Sequence, residues 1–92
     1  MRKPELTNAE IERLSLLAEE ASEVVKACMK ILRHGYENSY DNGQTNRAAL
    51  EEELGHEYYA RILMLEAGDI DIDKIIQSRR AKVEKGTFLH FQ

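Results

Sequence analysis

The sequence predicts an all-α protein, two long antiparallel helices plus a short third helix, with a helical bundle completed by oligomerisation. Apolar residues recur at steps of three and four through two long stretches, the mark of helices with one apolar side. Glycines, among them Gly35 and Gly68, fall where those stretches end, and the one proline, Pro4, precedes them both. The 92 residues read as one domain spanning 1–92. A chain of that length buries only about two-thirds of its unfolded surface. A lone core would be thin, which favours an oligomer, a metal, or both.

The first helix is expected from the capping-box pattern Thr7-Asn8-Ala9-Glu10, in which Thr7 bonds the backbone while Glu10 reaches back. Leu14, Leu17, Ala21, Val24, Val25, Cys28, Ile31 and Leu32 then form its apolar stripe. Arg33 and His34 suit the negative end of a helix, and Gly35 closes it. Residues 36–46 are turn-formers without a period, with Asn42-Gly43 a strong turn pair, so a loop is expected there. The second helix should run from about Arg47 to Ala67, capped by Thr45 or Asn46 and stopped by Gly68. Its apolar residues occupy two arcs, Ala49, Ala60, Leu63, Met64 and Ala67 on one and Leu54, Tyr58, Ile62 and Leu65 on the other. A helix apolar on two sides is buried on two sides, and one short neighbour cannot cover both. A homodimer or homotetramer is the simplest remedy. Asp69-Ile70-Asp71 offers caps for a short third helix carrying Ile72, Ile75, Ile76 and Val83. The tail ends in an apolar cluster of Phe88, Leu89 and Phe91, suited to docking on the body or on a second subunit.

Composition narrows the function classes. Thirteen basic against seventeen acidic residues leave a net charge of −4, which argues against a nucleic-acid polymer as partner. One cysteine, Cys28, precludes an intrachain disulfide and fits a reducing compartment. No apolar run approaches the roughly 18 residues of a membrane span, and Met1-Arg2-Lys3-Pro4-Glu5 holds no signal-peptide core. A cytoplasmic protein without a membrane partner is expected.

Most of the acidic residues suit solvated helix surface, but Glu20, Glu23 and Glu53 resist that reading. Glu20 and Glu23 project from one side of the first helix, and Glu20 shares a column with Leu16, Ala27 and Ile31. Glu19 adds a third carboxylate, and no Lys or Arg lies three or four residues from Glu20 to pair it. Glu23 has Lys26 within reach. Glu53 lies with His56 on the arc of Ala49, Ala60, Leu63 and Met64, the face that should be buried. Burying a charged carboxylate costs several kcal/mol unless it is paired or binds a metal. Beside it Gly55, mid-helix, costs about 1 kcal/mol relative to Ala and would admit close approach of a helix or ligand. Two helices offering acids inward make an oxygen-rich site of the kind that suits Mg²⁺ or Mn²⁺. The competing explanation is an ordinary bundle in which Arg33, Arg47 or Arg61 pairs these acids.

At these residues the chain resembles the MazG-like all-α nucleoside triphosphate pyrophosphohydrolases, a superfamily that includes dimeric dUTPases and phosphoribosyl-ATP pyrophosphohydrolases. Its signature is ExxE on one helix and ExxD on the next. Glu19-Glu20-Ala21-Ser22-Glu23 matches the first half, and Glu53-Leu54-Gly55-His56 the second with one departure. The run Asn46-Arg47-Ala48-Ala49-Leu50-Glu51-Glu52-Glu53-Leu54-Gly55 looks most like small phage-encoded members, and the resemblance covers about residues 9–85. It implies hydrolysis of a nucleoside triphosphate to the monophosphate and pyrophosphate. Carried over by position, Glu20, Glu23 and Glu53 would hold Mg²⁺, with Glu19 a further ligand or the group orienting water. Lys26, Lys82 or Lys85 would face the outer phosphates; as structure alone, each is an ordinary solvated lysine.

The departure is His56, where the family has Asp. Neutral imidazole is a poor ligand for Mg²⁺ and an acceptable one for Mn²⁺ or later transition metals. Altered metal preference, a base or hydrogen-bond role for His56, and loss of catalysis with a retained fold are all open. Two other functions compete with the leading one: phosphoribosyl-ATP pyrophosphohydrolase, and a non-catalytic relative that binds nucleotide or a protein partner.

Overall fold

In the computed structural model, residues 5–40, 43–86 and 89–91 are described, Tyr40 through its backbone alone. Helix α1 (Asn8–His34) starts at the expected box: Thr7 Oγ1 accepts from the Glu10 N–H at 3.1 Å and Glu10 Oε1 from the Thr7 N–H at 2.8 Å. Two of the four N–H groups that a helix start leaves over are thereby satisfied. At the other end the Gly35 N–H donates to Ile31 O at 2.7 Å with φ at 86°, a backbone that favours glycine.

The segment expected as a plain loop contains a small hairpin. Strand β1 (Ser39–Tyr40) pairs antiparallel with β2 (Gln44–Thr45), Ser39 facing Thr45 and Tyr40 facing Gln44. Two residues per strand are too few to leave a period of two in the sequence. Gly43 takes φ of 77° in the turn, while its expected partner Asn42 lies outside the described residues. Helix α2 (Asn46–Ala67) follows at once, with Thr45 as cap: its Oγ1 accepts from the Ala48 N–H at 3.1 Å. Gly68, in the left-handed conformation, ends α2. Helix α3 (Ile72–Glu84) is capped by Asp71, whose Oδ1 accepts from the Asp73 N–H at 2.9 Å.

Two side-chain contacts pin α1 and α2 into an antiparallel pair. Where α1 ends and α2 begins, buried Asn46 donates its Nδ2 to Gly35 O at 3.0 Å. Where α1 begins and α2 ends, the Arg13 guanidinium clasps Asp69 through Nε at 2.5 Å and Nη2 at 3.0 Å. Charge-assisted bidentate pairs of this kind are the stronger hydrogen bonds in proteins. Between the pins, Ala60 and Met64 of α2 are the buried apolar side chains among the described residues.

Packing divides what reads as a single stripe on α1. Leu17, Val24, Ala27 and Ile31 are half-buried, whereas Leu14, Ala21, Val25, Cys28 and Leu32 are exposed. The two arcs of α2 part in the same way. Ala60 and Met64 are covered with Ala49 and Leu63 half-buried, while Leu54 and Tyr58 of the other arc lie open to solvent and Ile62 and Leu65 are half-buried. Burial on both sides of α2 is therefore not achieved within one chain. Helix α3 makes sparse contact with the pair, and its Ile72 and Val83 are exposed. Of the tail cluster, Leu89 and Phe91 are exposed rather than docked on the body, and Phe88 lies outside the described residues. No described helix is long and apolar enough to cross a membrane.

The Arg13 hydrogen bond, and secondarily its charge, hold the Asp69 carboxyl below its usual range. A depressed carboxyl stabilises the fold above the unfolded-state pKa and loses that contribution as pH falls through the folded value. Asp69→Asn is expected to melt several degrees below wild type at pH 7, with the difference shrinking as thermal melts are moved below pH 4.

Candidate metal centre

Between the two pins, α1 presents Glu20 to α2 at the turn that carries Glu53 and His56. His56 Nδ1 lies 3.6 Å from Glu20 Oε2 and 3.6 Å from Glu53 Oε2. One ligand atom from each of the three side chains falls within 4.8 Å of the other two. The Glu20 and Glu53 side chains are 19% and 25% exposed, that of His56 55%. Both carboxylates thus sit in the helix–helix seam, and the imidazole closes the group from the solvent side. His56, expected on the buried inner arc, is instead exposed. The side chain leans outward from the seam, and a core histidine satisfied between helices is not what the structure shows.

Glu20 Oε2 is buried and has no hydrogen-bond partner among the described residues. The imidazole at 3.6 Å is beyond hydrogen-bond range, so its approach is electrostatic only. A desolvated carboxylate oxygen left in that state costs on the order of 1–3 kcal/mol, more when charged. The paired carboxylates also repel one another. A divalent cation would remove both costs. Two carboxylate oxygens with one nitrogen form a donor set that Mn²⁺ accepts readily and Mg²⁺ accepts through its oxygens. The residues present fit such an ion on this chemistry.

The arginines that would have made this an ordinary ion-paired bundle are engaged elsewhere or uncommitted. Arg47 pairs with Glu37 at 2.7 Å and stacks over the Tyr36 ring at 4.3 Å from its centre. Arg61 pairs with Glu57 at 2.5 Å. Among the described residues no ion pair joins Arg33, Arg47 or Arg61 to Glu20 or Glu53.

Of the other site residues expected from sequence, Glu23 is half-buried and lines an open cavity together with Glu53, Lys26, Lys30 and Asn46. Its carboxylate already meets Lys26 Nζ at 3.2 Å. Glu19 is exposed and lines a separate depression with Glu12, Ser15 and Leu63, so it is not gathered with Glu20 and Glu53. One residue further along a helix is a turn of about 100°, which is why the run Glu19-Glu20-Ala21-Ser22-Glu23 delivers its second and fifth residues to one side and not its first. Lys82 and Lys85 lie at the far end of sparsely packed α3 and do not line the Glu23–Glu53 cavity. Lys30 does line it. Its place one turn after Lys26 was a signal in the sequence that could have singled it out. A Cβ built on Gly55 would meet nothing within 4 Å, so no helix approaches closely there within the chain.

No family model matches the chain, and no curated protein or solved structure does either.

Mn²⁺ should raise the melting temperature of the wild type, because binding to the folded state alone stabilises by mass action, about 2.7 kcal/mol at a hundredfold excess over Kd. Differential scanning fluorimetry of Glu53→Gln should show most of that gain lost, and Glu19→Gln should keep it. Equal gains in all three proteins would place the ion elsewhere.

Proposed function

We propose that this chain is a metal-dependent hydrolase that converts a nucleoside triphosphate to the monophosphate and pyrophosphate, in the manner of the MazG-like enzymes it resembles. The observation that carries the reading is the meeting of Glu20 and Glu53 from separate helices, with one Glu20 oxygen buried and unbonded. Glu20 and Glu53 would hold Mg²⁺ or Mn²⁺, His56 would supply a third donor, and Glu23 stands on the same flank. Bound there, the ion would neutralise phosphate charge and lower the pKa of a water molecule.

The chain's own groups supply the rest. Lys26 and Lys30 line the cavity shared with Glu23 and Glu53, so positive charge flanks the acids where a polyphosphate would extend. Phosphoryl chemistry of this kind is mainly positioning and electrostatics, and a rigid helix pair pinned at both ends provides positioning. Lys82 and Lys85 have no part in this arrangement.

One observation favours a second reading, a non-catalytic relative that binds nucleotide or a partner. His56 Nδ1 is equally close to both carboxylates, so a protonated imidazole supplies the countercharge without a metal. Pyrophosphate release from a panel of canonical and modified nucleoside triphosphates, with Mg²⁺ and Mn²⁺ supplied separately, decides between the two. The enzyme reading expects release that falls by roughly 10- to 100-fold or more in Glu53→Gln. It also expects His56→Asp to raise the ratio of Mg²⁺- to Mn²⁺-supported rates, since oxygen donors favour Mg²⁺. No release from any nucleotide with either ion would leave the binding reading.

A further inference from the structure

The acid cluster lies between two hollows that share one flank of α1. The row Glu12, Leu16, Glu19, Glu23, Lys26, Lys30 and Arg33 steps by four and three, so it stays within about 100° of the helix circumference. Its first part borders a hollow of about 480 Å³ against Leu63 of α2. Its second part borders a hollow of about 560 Å³ against Asn46, Ala49 and Glu53 of α2. Both volumes fall in the range of small-molecule sites. On α1, Glu20 falls between the residues of the first hollow and those of the second. On α2, read in reverse, Glu53 and His56 fall between Leu63 and Ala49. The antiparallel pair thus sets one hollow on each side of the cluster.

The two hollows differ in chemistry. Lys26, Lys30 and Arg33 make the second one cationic. The first combines half-buried Leu16 and Leu63 with the exposed carboxylates of Glu12 and Glu19. Arg13 also lines it, but its guanidinium is held by Asp69.

We infer that this groove gives its substrate a direction and selects its base. The phosphates lie toward Lys26, Lys30 and Arg33, and the first hollow takes a nucleobase that carries an amino group: adenine, guanine or cytosine in preference to uracil or thymine. The inference rests on the hydrolase reading above and adds the class of base to it. Glu12 and Glu19 repel phosphate from the first hollow, while Leu16 and Leu63 offer apolar surface to the faces of a flat ring. From Leu16 to Lys26 is ten residues of helix, about 15 Å, so base and outer phosphates stand on opposite sides of the cluster. An ionised carboxylate accepts hydrogen bonds and donates none. Adenine, guanine and cytosine bring amino N–H donors to it, whereas thymine and uracil present a carbonyl oxygen that it repels.

Isothermal titration calorimetry with the α,β-imido analogues of dATP, dGTP, dCTP, dUTP and dTTP in Mn²⁺ reads affinity without turnover. Wild type should bind the three amino-bearing nucleotides about 10-fold or more tighter than the other two. Glu19→Gln and Glu12→Gln, whose amides donate as well as accept, should each shrink that ratio. Arg33→Gln should weaken all five by a similar factor and leave the ranking as it is. Equal binding of all five by wild type, a ranking unchanged in both glutamine variants of the acids, a ranking altered by Arg33→Gln instead, or no binding of any analogue would overturn the inference. The hydrolase reading fails separately, if the authentic triphosphates release no pyrophosphate while the analogues bind in the expected order.

Discussion

The Glu20 carboxylate lies in the seam between α1 and α2 with one oxygen out of reach of water and of every described donor, facing Glu53 across the seam. Such a group destabilises the very packing that buries it. The pins at either end oppose it: Asn46 to Gly35 at one, Arg13 to Asp69 at the other. Helices tied at both ends cannot splay to let the carboxylates hydrate without giving up one of those contacts. The local strain and the rigidity around it thus belong together, and both would suit the cation proposed for this site.

A thin core accompanies this arrangement. With Ala60 and Met64 the buried apolar side chains among the described residues, the hairpin derives little from its own interior. Much of its apolar surface lies outside, on Leu14, Val25 and Leu32 of α1 and on Leu54 and Tyr58 of α2. Small domains commonly meet this shortage with a metal or with a second copy.

The parts legible in the sequence are those where a residue acts locally. Thr7 with Glu10, Gly35, Thr45, Gly68 and Asp71 all mark helix ends through bonds or dihedrals that their own neighbours complete. Glu20 and Glu53 were legible because a charge in an apolar column has a cost that periodicity alone exposes. Distinctions of one residue were not. The half-buried and the exposed apolar rows of α1 differ by a single position and read together as one broad stripe. Glu19 beside Glu20 looks like a member of the same cluster until the helix turns it away. His56 follows the inner arc by count, yet a long side chain at the margin of a seam leans to solvent. Lys82 and Lys85 required knowing where α3 lies, which depends on tertiary contact that no local pattern encodes.

The most direct test of this account is the stability of Glu20→Gln against wild type, measured by thermal melts at one fixed pH. In chelator the neutral variant should be the more stable of the two, because a buried charge and its repulsion with Glu53 are removed. In saturating Mn²⁺ the order should reverse, the wild type gaining what the variant cannot. A variant less stable than wild type in chelator, with an unchanged gap in Mn²⁺, would show Glu20 to be a structural partner and contradict the account.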